Sequence, residues 1–237
     1  MTLGQDIKYS FPYFGPFLIQ SKISDEAFDY IQSIYQSQRK EEYAFNSFLA
    51  GKIEEEYSFN KEQILNINEY IKPYLDLYVD VLCSRWHGKE YINIDKNCLD
   101  FVPDSTWVNI QKSREYNPIH NHSGHISWVT YIDIDEEMYY EKDKAVSSPP
   151  GSITFYSGNS GTRLYGANKT EYYEKEYKSE KQLNIDHTIE TLERLLQPVG
   201  QRAYTPVNKD IFIFPSYLQH SVEAFIKDTK RVSVSGN

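Results

Sequence analysis

Pro118-Ile119-His120-Asn121-His122-Ser123-Gly124-His125 places three of the chain's six histidines within six residues. A lone histidine is ordinarily a hydrogen-bonded core residue, but two of them two positions apart on a strand point to the same face. His120 and His122 can therefore aim both imidazoles at one point, as metal chelation requires. A third donor is available in Phe214-Pro215-Ser216-Tyr217-Leu218-Gln219-His220, where His220 follows an apolar strand and reaches the pair from a neighbouring one. Open catalytic iron sites usually combine two histidines with a carboxylate, leaving positions for oxygen and a chelating co-substrate. Here Asp133 and Asp135 lie at the far end of the next strand, so the expected site is three histidines: His120, His220, and either His122 or His125. Arg231 stands eleven residues after His220 and shares a strand face with Ser233, where guanidinium and hydroxyl could grip a carboxylate.

Outward from this cluster the pattern is β. Thr106 to Ile110, Ile126 to Ile134, Ser152 to Tyr156, Ile211 to Phe214 and Arg231 to Ser235 are rich in β-branched and aromatic residues and bounded by Pro, Gly and Asn. Trp107, Asn109 and Gln111 alternate on the first of these and are candidates to line a pocket. The first hundred residues read differently. Phe11 to Ile19 suits a leading strand at a sheet edge. Ser24-Asp25-Glu26 offers an N-cap and an acidic first turn for a helix running to about Gln38. Ile64, Ile67, Ile71, Leu75, Tyr78 and Leu82 form a helical stripe, interrupted by Pro73, which predicts a kink or two shorter helices. Helices first and strands later give an α+β class with a barrel or sandwich in the second half. The Tyr-, Lys- and Glu-dense stretch from about 157 to 198 reads as an insertion between barrel strands.

A chain of 237 residues with 15% aromatics can fold as one domain around a substantial core. The net charge of −9 argues against nucleic acid as a partner. Only Cys83 and Cys98 occur, too few for a disulfide framework, which fits a reducing compartment. No apolar run approaches the roughly 20 residues of a membrane helix, and Met1 to Asp6 lack the pattern of a secretory signal. The expectation is a soluble cytoplasmic protein without a membrane partner.

Taken together, His120-Asn121-His122, Ser127 with Tyr131, Gly151-Ser152-Ile153-Thr154-Phe155, Phe214-Pro215-Ser216 with His220, and Arg231-Val232-Ser233 resemble the 2-oxoglutarate/Fe(II) oxygenases. The resemblance is particularly to the small prolyl-hydroxylase-like proteins often encoded by bacteriophages, and it covers roughly residues 106 to 237. It implies a double-stranded β-helix (jelly-roll) barrel over residues 101–237, supported by mainly helical residues 1–100, in one oxygenase-like domain. It also implies Fe(II) held by His120, His122 and His220, with His122 standing where most relatives place Asp. 2-Oxoglutarate would be the co-substrate, its distal carboxylate bound by Arg231 with Ser233 and Tyr131 assisting.

The implied reaction is hydroxylation of a small-molecule or peptide substrate, coupled to decarboxylation of 2-oxoglutarate to succinate, in the host cytoplasm if the protein is phage-encoded. A cupin-like metalloprotein also uses H-x-H and a distal histidine. It usually adds a glutamate shortly afterwards, and none occurs between His122 and Asp133. A non-catalytic module that keeps the metal or 2-oxoglutarate site is a third reading, prompted by the missing carboxylate.

Overall fold

The computed structural model describes residues 9–10, 16–85, 100–140, 148–157 and 200–237. In chain order the elements are β1 (Tyr9–Ser10), β2 (Ile19–Lys22), α1 (Asp25–Tyr35), β3 (Glu55–Ser58), α2 (Lys61–Arg85), β4 (Thr106–Lys112), β5 (Asn117–His120), β6 (Ile126–Ile134), β7 (Ile153–Tyr156), β8 (Gln201–Tyr204), β9 (Asp210–Pro215), β10 (His220–Val222) and β11 (Lys230–Gly236). They build a seven-stranded sheet in the order β1-β2-β9-β6-β11-β4-β3 and a four-stranded sheet in the order β5-β10-β7-β8. Every described strand pair is antiparallel.

Period-two alternation decides which side of the large sheet meets what. Ile211, Ile213, Val232, Val234, Val108 and Ile110 face the helices and pack with Ile31, Ile67, Ile71 and Tyr78. Phe212, Phe214, Val129 and Tyr131 face the other way and form a second core with Ile153, Phe155 and Val222 of the small sheet. The molecule is thus layered helix, large sheet, small sheet. On β4 and β11 the inward residues Asn109, Gln111, Arg231, Ser233 and Ser235 are polar and buried, so this end of the sandwich is a polar site rather than core.

Helix α1 starts where its cap predicts: Ala27 N–H donates to Ser24 Oγ at 3.2 Å, and Asp25 and Glu26 occupy the first turn. It ends at Tyr35, followed by a 3-10 turn over Gln36–Gln38. Helix α2 opens on a reciprocal capping box, Gln63 N–H to Asn60 Oδ1 at 2.9 Å and Asn60 N–H to Gln63 Oε1 at 3.0 Å.

Of the kink or division expected at Pro73, the division does not occur, and helix α2 runs unbroken through it. Pro73 lies on the exposed face, and the carbonyl it leaves without a donor is that of exposed Glu69, which water can satisfy. The buried stripe Ile67, Ile71, Tyr74, Leu75 and Tyr78 continues on both sides of it. Of the leading strand expected over Phe11 to Ile19, Ile19 is the residue that opens β2. Phe17 and Leu18 are buried without strand pairing, and residues 11–15 lie outside the described residues.

The insertion expected at about 157–198 also lies outside the described residues except at its edge. There Ser157 N–H donates to Gly200 O at 2.8 Å, so the chain leaves and re-enters the small sheet at adjacent points. No described helix is long and apolar enough to cross a membrane.

Candidate metal centre and its cavity

The centre is built on the small sheet. His120 closes β5 and His220 opens β10, and the antiparallel register makes them directly facing partners. Their rings accordingly lie 4.3 Å apart between centroids. Each ring is oriented by the carbonyl two residues earlier. His120 Nδ1 lies 2.7 Å from Pro118 O, and His220 Nδ1 lies 3.0 Å from Leu218 O. With Nδ1–H donating to these carbonyls, both Nε2 lone pairs are left for a metal.

His122 reaches the same point after the chain has left β5. Its N–H donates to Ser216 O at 2.9 Å, and Ser216 N–H donates to His125 O at 3.1 Å. Ser216 is buried. Its Oγ lies 2.8 Å from Ser127 Oγ, which in turn donates to Asn237 Oδ1 at 2.8 Å. The Phe214-Pro215-Ser216 segment therefore pins the histidine turn.

The ligand atoms of His120, His122 and His220 all lie within 4.8 Å of one another. His122 Nε2 and His220 Nε2 are 3.2 Å apart. Two nitrogens each about 2.1 Å from one ion, at roughly a right angle, would be separated by about 3 Å, so this edge fits a shared metal. Burial is the largest cause lowering the pKa of all three. His122 falls to about 4, helped by neighbouring His120, and His220 lies well below its ordinary value. They are thus neutral imidazoles at pH 7, the metal-binding form. His125, the alternative third donor, is exposed and contributes only its carbonyl to the turn. The cluster contains no carboxylate.

Arg231 opens onto the same cavity from β11. It is 2% exposed, yet among the described residues it forms no ion pair. Nη1 donates to Gln111 Oε1 at 3.3 Å and Nη2 to Tyr131 Oη at 3.0 Å, while Nε has no partner. A buried guanidinium met only by neutral oxygens is costly unless an anion joins it. Burial raises Tyr131 to about 12 despite the adjacent Arg231, so its hydroxyl keeps a proton. Ser233 lines the cavity as well and is the cross-strand partner of Tyr131, at a register shift between Val232 and Ser233.

Trp107 and Asn109 line the cavity as their alternation suggests, whereas Gln111 acts behind it on Arg231. Leu49, Ala50 and Asn117 also line it. Sequence reading missed these three; nothing local marks a loop of the helical half, or the first residue of β5, as a wall of this site.

The family model described as "Putative 2OG-Fe(II) oxygenase" matches residues 105–237, more than half of the chain. Among solved structures, OsALKBH1 is similar with a TM-score of 0.51 at 9% identity, over 96% of this chain and 99% of that one. The viral collagen prolyl hydroxylase from Paramecium Bursaria Chlorella virus-1, in complex with 2OG, aligns with a TM-score of 0.47 at 11% identity over 94% and 95% of the two chains. A Pseudomonas putida prolyl-4-hydroxylase gives 0.45 at 12% identity over 94% and 91%. At these identities the first likeness speaks for a shared fold alone. No curated protein sequence matches the chain significantly.

Proposed function

Because the chain belongs to the 2OG-Fe(II) oxygenase family, with Fe(II) as its metal and 2-oxoglutarate as its co-substrate, we propose that it is a hydroxylase whose site is the cavity just described. His120, His122 and His220 hold the iron. Arg231 pairs with the distal carboxylate of 2-oxoglutarate, assisted by the hydroxyls of Tyr131 and Ser233. One observation carries this reading: the cavity that holds three converging neutral imidazoles also holds a buried arginine with no anion. The donor set fits both groups, since imidazole nitrogens ligate iron and a guanidinium fork matches a carboxylate.

When bound, iron and 2-oxoglutarate supply oxidative C–H hydroxylation coupled to decarboxylation to succinate. The chain's own contribution is position and dryness. The two carbonyl-anchored rings fix the metal, the backbone of Ser216 fixes the third ring, and Arg231 fixes the far end of the co-substrate. The apolar walls Trp107, Trp128 and Phe214 exclude water. His122 stands in place of a carboxylate, so the first shell carries one negative charge fewer than the common set.

We assign the two facing sheets to a double-stranded β-helix and the whole of residues 1–237 to one oxygenase domain, with the helical half buttressing the outer face of the large sheet. The substrate is a small molecule or a peptide, an acidic chain of −9 being poorly suited to nucleic acid.

Anaerobic titration of the protein with Fe(II) and then 2-oxoglutarate tests the site, the expected result being the visible charge-transfer band of the chelate. Oxygen-dependent formation of succinate tests turnover. Iron uptake without the band points to a cupin-like site, and a band without succinate to a binding module.

A further inference from the structure

Glu56 lies on β3, the edge strand of the large sheet, directly opposite Asn109 of β4. Cross-strand partners share a face, and Asn109 lines the cavity, so Glu56 lies on the cavity side. Both are more than nine-tenths buried, at 2% and 6% exposure. Neither Glu56 Oε1 nor Asn109 Oδ1 has a hydrogen-bond partner. Buried acceptors without donors are rare in folded proteins and ask for a ligand that brings donors. Among the described residues Arg231 forms no ion pair with Glu56, its terminal nitrogens going instead to Gln111 and Tyr131.

The strap before β3 closes the same side. Asn46 Nδ2 donates to Ile53 O at 2.8 Å and to Glu54 O at 2.7 Å. Lys52 N–H donates to Tyr116 O at 2.9 Å, and Glu54 N–H to Glu115 Oε1 at 3.1 Å. Gly51 sits at φ 143°, where a Cβ would stand 1.9 Å from Asn117 Oδ1, so the strap is pressed onto the β5 residue beside it. This holds Leu49 and Ala50 in the cavity wall. Leu49, Ala50 and Glu56 all fall outside the residues 105–237 that the family model matches.

We propose that Glu56 and Asn109, with Leu49 and Ala50 of the strap, form the primary-substrate subsite, and that it takes a cationic nitrogen, an ammonium or guanidinium, carried on a short aliphatic stem. The proposal rests on reading the cavity as an oxygenase site. Two unpartnered acceptors select a group that brings donors, and Leu49, Ala50 and Trp107 suit the stem. Burial, and then the charge of Glu115, lift Glu56 to about 8, so its proton leaves as the cation arrives.

The test loads the protein anaerobically with Mn(II) and 2-oxoglutarate at pH 8 and titrates it with n-butylammonium and N-methylguanidinium against neutral n-butanol and N-methylurea. Paramagnetic broadening of the probe's proton lines reports binding beside the metal. The cations should bind at least tenfold more tightly than their neutral isosteres, and Glu56→Gln and Asn109→Leu should each reduce that preference below threefold. Equal binding of neutral and cationic probes overturns the proposal, as does a preference that survives Glu56→Gln. Failure to take up Mn(II) and 2-oxoglutarate counts instead against the oxygenase reading. The cation preference is then read from melting-temperature shifts of the metal-free protein, so the two ideas fail separately.

Discussion

Arg231 is buried to 2% exposure and meets only the neutral oxygens of Gln111 and Tyr131. Lysine at this position would keep the charge but lose the fork, so Arg231→Lys should weaken 2-oxoglutarate binding about thirtyfold, or about 2 kcal/mol, with iron retention unchanged. Titration of the anaerobic chelate band measures both. Parent-like affinity in Arg231→Lys and Arg231→Ala alike would remove the distal-carboxylate role. The third iron ligand is tested by a pair of variants. His122 shares the cluster whereas His125 is exposed, so His122→Ala should lose iron as His120→Ala and His220→Ala do, and His125→Ala should retain it. Iron stoichiometry in the folded variants decides, and the opposite order would move the ligand to His125.

At the scale of elements, β11 and α2 carry the features most exposed to single changes. Gly236 ends β11 against Trp128 of β6, and a Cβ built there would come within 2.6 Å of the indole ring. Both strands are held by neighbours on each side, so the ring has little room to yield. Gly236→Ala should cost about 1–3 kcal/mol, seen as a lower urea midpoint at constant slope. Pro73 acts in the reverse sense. Restoring a donor to the exposed Glu69 carbonyl, less the entropy that proline removes from the unfolded chain, predicts that Pro73→Ala stabilises by about 1–2 kcal/mol. A variant no more stable than the parent would show that the helix had already absorbed the proline at no cost.

For the whole molecule, Glu56 ties stability to pH. Its folded pKa of about 8 lies above the ordinary 4.5, because burial disfavours the charged carboxylate and Glu115 adds repulsion. The folded state therefore holds a proton that the unfolded chain gives up. This contribution is complete below pH 4.5 and is lost as pH rises toward 8. Glu56→Gln removes the dependence, so its melting temperature should match the parent's near pH 4.5 and exceed it increasingly up to pH 8. Parallel melting curves across that range would show that Glu56 ionises freely in the folded protein.

Some of this was fixed by the amino-acid sequence before any tertiary structure. The β-branched and aromatic residues of Thr106 to Ile110, Ile126 to Ile134 and Arg231 to Ser235 mark strands because the preference of such side chains for extended backbone acts locally. His120 and His220 stood out as donors, and Ser24 marked the start of α1, for equally local reasons. Only the folded molecule brings the ring of His122, and not that of His125, beside His120 and His220. That placement depends on a turn whose N–H and carbonyl groups bond Ser216, some ninety residues away, and on Gly124 at φ 85°. The same holds for Leu49 and Ala50 in the cavity wall and for Glu56, which shares a sheet face with Asn109 because β3 pairs with β4 across the intervening helix. Pairing between distant strands is set by the burial of whole faces, and no window of residues along the chain contains that information.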